Sequence, residues 1–196
     1  DKASLQKTIV GLNETMAQLE IRISGFRTDV SSLQSELSAL KLQLAPPEAP
    51  VTLGEISYSA LWALLAGLFP KDTANIHISD RKFPVCAIAD IRRFVEWSKV
   101  DKLKYVADEL DCDDFATALA GEFARYPGWS GLPVTFIWGD LYGGHAFNIA
   151  VAYPSAGDLT PTAYFIEPQT DVEISPELVE EMKLWVLPMA KIKREG

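Results

Sequence analysis

The sequence is poor in the residues that build metal clusters and disulfide frameworks. It has two cysteines, Cys86 and Cys112, and two histidines, His77 and His145, in 196 residues, with no CxxC pair. That speaks against a structural zinc site. At most one disulfide could form, and the acidic surroundings of Cys112 point to a free thiol instead. No apolar run approaches the ~18 residues of a membrane span. The longest, Ala60 to Phe69, reads as a buried helix. No basic segment leads into an apolar leader. The chain opens inside a repeat at Asp1, so a fragment or processed product is expected. Positive charge is also scarce, with 18 Lys and Arg against 27 Asp and Glu and a net charge of −9. Non-specific nucleic-acid binding needs a basic footprint, so it is disfavoured. Lys191, Lys193 and Arg194 read as a solvated tail. The glycine-rich nucleotide loops and the GxSxG serine elbow are missing.

One pattern dominates the first 45 residues. Leu5, Ile9, Leu12, Met16, Leu19, Ile23, Phe26, Val30, Leu33, Leu37, Leu40 and Leu44 follow one another at alternating steps of four and three. This is a heptad repeat, with Ile9, Met16, Ile23, Val30, Leu37 and Leu44 at a and the others at d. A helix lying on a globular core shows a wider, less regular stripe. The strict seam therefore predicts identical helices wound round one another. No second heptad run exists for an intramolecular hairpin. The flanks are mostly uncharged (Gln6, Thr8, Asn13, Thr15, Gln34, Gln43), and Phe26 and Met16 suit a roomy seam. A homo-oligomer is expected, a parallel trimer in preference to a dimer. Residues 1–45 form the stalk, 46–52 a Pro-rich linker that stops the helix, and 53–196 a head domain.

The head reads as α+β, with helices first and antiparallel strands after. Helices are expected over Ile56 to Phe69, Ala87 to Trp97, Cys112 to Tyr126, and from a Ser175 cap to about Lys183. Strands are expected near Asn75 to Ile78, Pro133 to Trp138, Ala146 to Tyr153, Thr162 to Ile166 and Trp185 to Met189. Lys102 to Glu109 reads as a charged turn or short helix.

Three residues could carry chemistry. Cys112 sits where a helix should begin, and the positive end of the helix dipole favours a thiolate there. The neighbouring acids oppose this, and a bound cation would relieve them. His145 follows Gly143 and Gly144 and opens a strand, while Glu167 ends the next one, placed to orient the imidazole. The order Cys at a helix start, His at a strand start and an acid on the next strand is that of papain-like and transglutaminase-like folds.

The segments Asp111 to Ala116 (DCDDFA), Gly144 to Asn148 (GHAFN), Tyr164 to Asp171 (YFIEPQTD) and Ile78 to Pro84 (ISDRKFP) resemble the papain-like C-terminal domain of the Marasmius-type mushroom agglutinin and its phage and bacterial relatives. The resemblance covers roughly Leu53 to Met189. It implies a papain-like cysteine protease with Cys112, His145 and Glu167 as triad, dependent on calcium or manganese, with Asp113 and Asp114 as metal ligands suited to hard ions. The glutamine that papain places before its cysteine has no counterpart in Val106 to Leu110. Two functions are therefore expected. One is a thiol hydrolase or acyl-transferase acting on a peptide or protein. The other is a catalytically silent structural or receptor-binding head of a virion fibre, phage tail or extracellular surface appendage.

Overall fold

The computed structural model describes residues 1–189, apart from the side chains of residues 42 and 43. The basic residues Lys191, Lys193 and Arg194 lie outside the described residues. The chain divides into two compact units, Asp1–Ala45 and the segment from Pro46 onward.

The first unit is one helix, α1 (Lys2–Leu44). It contains no proline to interrupt it, and at 1.5 Å per residue it is about 65 Å long. Several hydroxyls satisfy themselves on the turn before, such as Thr15 Oγ1 donating to the Gly11 carbonyl at 2.8 Å and Ser38 Oγ to Gln34 at 2.8 Å. All twelve heptad residues are 48–73% exposed. Pro46 and Pro47 then end the helix, because neither can donate to its ladder.

In the second unit the linker is fixed to the head. The Pro47 carbonyl accepts from Trp129 Nε1 at 3.2 Å, and Glu48 accepts from Arg93 at 3.3 Å. Ala49 packs directly on Gly128, where a Cβ would stand 2.5 Å from its methyl.

The head has a two-stranded antiparallel ribbon, β1 (Gly54–Ser57) with β3 (Lys82–Val85). It also has a six-stranded sheet. The sheet runs β2 (Ile76–Ile78), β8 (Leu184–Met189), β4 (Val134–Gly139), β5 (His145–Ala152), β6 (Thr162–Glu167), β7 (Val172–Ile174). Helix α2 (Tyr58–Leu68) and the ribbon cover one face; α3 (Ile88–Trp97) and α4 (Cys112–Arg125) cover the other. The short α5 (Pro176–Glu180) adds Val179 to the first core.

Strand β5 shows why the layers form. Its alternation sends Phe147, Ile149 and Val151 into the α2 core and the small Ala150 and Ala152 into the α4 core. Small residues on that side let α4 approach closely. The one polar interior residue of the strand is Asn148, fully buried, whose amide donates to the Ala116 carbonyl of α4 at 2.8 Å and to Thr135 at 3.3 Å.

The α+β class is as expected, but the sheet is not wholly antiparallel. β2 pairs in parallel with β8, Ile78 opposite Met189. Ile56 belongs to β1, opposite Phe83, and the helix expected from Ile56 begins only at Tyr58, capped by Ser57 Oγ accepting from Ala60. Lys102 to Glu109 forms no α-helix. It holds the end of a 3-10 turn and a tight loop bridging Val106 and Leu110. The last helix stops at Glu180.

Candidate functional site

The end of the sheet where β5 begins gathers the polar side chains. The direction of α4 determines which of its ends lies there. Ala116 is tied to Asn148, and farther along, Phe123 shares its core cluster with Val134 and Ala150. Helix and strand thus run in the same sense, and the Cys112 end of α4 lies towards His145.

His145 and Glu167 meet. Nε2 of His145 lies 2.6 Å from Oε2 of Glu167, with both side chains about four-fifths buried. Which ring nitrogen carries a proton follows from the tautomer, and the tautomer with its proton on Nε2 donates to the Glu167 carboxylate. Glu167 is itself held, since its other oxygen accepts from the Gln169 backbone at 3.3 Å. The imidazole stacks on the buried Phe147 at 5.9 Å. Among the described residues no hydrogen bond joins Cys112 to this pair.

Cys112 is half-buried and free; Cys86 is free and fully buried, so no disulfide links them. Burial, and then the charge of Asp90, push the Cys86 thiol up to about 12. At the start of α4 the donor atoms of Asp111, Cys112 and Asp113 lie within 4.8 Å of one another. Asp114 is otherwise engaged, its Oδ2 accepting from the Asp111 backbone at 3.2 Å to cap the helix. Asp113 is raised above the usual carboxylate range, first by a hydrogen bond with Asp111 and then by burial. One oxygen of Asp111 is buried without a partner. Two hard carboxylates and one soft thiol meet only part of what calcium takes, six to eight oxygens. Asp114, expected as a ligand beside Asp113, lies outside this group of donor atoms.

The hairpin that carries Glu167 turns through Asp171, a left-handed residue at φ 60 whose N–H closes on the Glu167 carbonyl at 2.8 Å. Burial, and then the charge of Asp101, push its carboxyl up to about 6. The folded state therefore holds this proton more tightly than an unfolded Asp near ~3.9. The cost of ionising it grows as pH rises from about 4 and is complete above about 6. Asp171→Asn should stabilise the head at pH 7 by about 1 kcal/mol, after discounting for partial exposure. Acidifying the wild type towards pH 5 should recover part of the same gain. Thermal melts at the two pH values check this, and equal pH slopes in variant and wild type refute it.

Aromatic side chains at this end of the sheet carry no mark in the sequence beyond ordinary strand patterning. Trp138 and Trp185 are 38% and 42% exposed, and Tyr142 is 80% exposed. Tyr142 stands at φ 54, an uncommon conformation for a bulky residue, between Asp140 and Gly143. Asn148 is a second residue that sequence reasoning misses, as a tie between helix and sheet. Its signal is a lone amide in the apolar run His145 to Ala152.

No protein-family model and no curated protein matches the chain. Solved structures do. A PSL1a–E64 complex superposes with TM-score 0.54 at 23% identity, over 67% of this chain and 49% of that one. Polyporus squamosus lectin bound to the human-type influenza-binding epitope Neu5Acα2-6Galβ1-4GlcNAc gives 0.53 at 23% identity, over 67% and 48%. The chain thus spans about half the length of these proteins and shares their fold over that part. They correct one expectation. One of these neighbours is a lectin bound to a glycan, and the assignment to a papain-like cysteine protease, with thiol-hydrolase activity, is overturned. The α+β class stands without the papain-like label. Short motifs such as DCDDFA and GHAFN specify residue types at element ends, and these do not by themselves specify an activity.

Proposed function

We propose that the head is a carbohydrate- or receptor-binding module, displayed in several copies by a coiled-coil stalk. One observation carries this reading: a helix with a continuous exposed apolar seam is joined to a head that shares its fold with about half of a glycan-bound lectin. Twelve half-exposed apolar residues in heptad register are costly for a lone helix and ordinary for a coiled coil. The stalk assembles as a parallel trimer, so the particle in solution has three times the 21.6 kDa chain mass. No helix among the described residues is long and apolar enough to cross a membrane.

Multiple copies suit weak sites, because linked heads bind a surface with an avidity well above single-site affinity. In this reading His145 and Glu167 are a fixed polar pair for ligand hydroxyls, and Cys112, with Asp113 and Asp114, lines the same end of the sheet. Binding therefore does not need the thiol. The test is the intact protein on an array of immobilised glycans, with and without calcium or manganese. Binding to a defined set of glycans, equal for wild type and Cys112→Ala, supports the reading. Failure to bind any glycan at micromolar protein overturns the carbohydrate half of it.

A further inference from the structure

Two aromatics at the end of the sheet where β5 begins, Trp138 and Trp185, are exposed beside each other. Along β4, Val134, Phe136 and Trp138 share the face that α4 covers. Phe136 stands opposite Asn148, which is tied to Ala116; Trp138 stands opposite Ala146, one repeat farther on, past the first turn of α4. Trp185 reaches the same place because the β4–β8 pairing shifts register between Trp138 and Gly139. The two rings meet edge to face, 5.6 Å apart and tilted by 66°.

Their backing is rigid. Gly144, at φ +124, lies so close to Trp185 that a Cβ there would stand 3.1 Å from the ring. One carboxylate is fixed close to both tryptophans in the chain. Asp140, just after β4, accepts through Oδ1 from the Lys183 backbone, just before β8, at 2.7 Å. Its second oxygen can accept from a hydroxyl.

From this arrangement we infer that Trp138 and Trp185 form a stacking subsite for an uncharged pyranose, such as a terminal galactose. The inference rests on the carbohydrate reading above. A pyranose offers an apolar C–H face to an indole and hydroxyl donors around its rim. The fixed Asp140 carboxylate accepts those donors. It also repels the carboxylate of a sialic acid, as do Asp111, Asp113 and the net charge of −9. Charge therefore selects a neutral sugar over the sialylated one carried by the lectin neighbour.

The test uses the full-length protein in EDTA, so that no divalent cation screens the acids, against immobilised Galβ1-4GlcNAc and Neu5Acα2-6Galβ1-4GlcNAc. The neutral probe should bind at least 10-fold more tightly. Trp138→Ala and Trp185→Ala should each weaken it 10-fold or more, and Trp185→Phe should retain most of the binding. In the wild type, the neutral probe should protect both tryptophans from N-bromosuccinimide oxidation, read by mass spectrometry, which does not depend on a variant folding. Binding without protection, or unchanged in both alanine variants, overturns the subsite and leaves the carbohydrate reading standing. Tighter binding of the sialylated probe overturns the choice of ligand. Failure of both probes overturns the subsite, and the wider array then decides the function.

Discussion

Replacing Ile23 and Phe26 together by aspartate should dissolve the assembly into single chains. These residues occupy neighbouring a and d layers in the middle of the seam, about half and three-fifths exposed in the lone helix. Burying each apolar side chain contributes about 1.5–3 kcal/mol. Burying a carboxylate instead costs several kcal/mol, and the change is repeated in every chain. Freed from its neighbours, a helix of 43 residues with no partner face has little to hold it, since most helical stability in proteins comes from packing. Far-UV circular dichroism should lose most of the α1 signal while the head keeps its own melt. Sedimentation should give the single-chain mass. Avidity for a glycan surface should fall about 10²-fold or more with no change at one head. Ser24→Asp, on the outer side of the helix, should do none of this. A double variant that sediments as the wild type would show that the seam is not the interface.

The long helix α1 was legible because an apolar period of alternating four- and three-residue steps runs unbroken along it. The copy number of the proposed assembly is not legible, because a and d residues of mixed type satisfy more than one assembly. In the head, α3 and α4 were legible from apolar spacing and from the turn residues around them. The ribbon was not. Pro84 inside Lys82–Val85 argues against a strand, yet β3 is half of a two-stranded edge, where a missing donor is tolerated. The parallel pairing of β2 with β8 joins residues over a hundred positions apart, and no local pattern carries such a contact. The meeting of His145 and Glu167 follows from the register of β5 on β6, Asn148 opposite Ile166, which brings the start of one strand beside the end of the next. Sequence identified the two polar ends; pairing brought them together. The tryptophans were hidden for a different reason. Trp138 alternates as any strand residue does, and only the register shift in β8 turns Trp185 towards it.

Phe94→Ala should be the most damaging single change in the head. Phe94 is fully buried, and its ring contacts Phe123 at 4.1 Å, Trp129 at 4.6 Å, Trp97 at 5.3 Å and Tyr126 at 6.1 Å. Those residues come from α3, from α4 and from the turn that follows α4. Removing the ring loses its transfer free energy and leaves a cavity that four large rigid neighbours cannot fill, a cost of about 3–5 kcal/mol. Aromatic contacts of this kind add something beyond buried area. Against the 5–15 kcal/mol typical of a domain, that is a large share. At roughly 2–4 °C per kcal/mol for a domain of this size, the head's Tm should fall by about 10 °C or more. Phe94→Leu, which refills most of the volume, should recover over half of the loss. The consequence reaches the site through α4, because the cluster grips its C-terminal half while Asn148 grips Ala116 nearer the start. A loosened α4 should weaken neutral-sugar binding below the melting temperature, while the stalk, a separate unit, should keep its oligomeric mass. If Phe94→Ala melts within about 1 kcal/mol of the wild type, the ring cluster is not what anchors the helix. The position of α4 would then depend on Asn148 and the alanines of β5 alone.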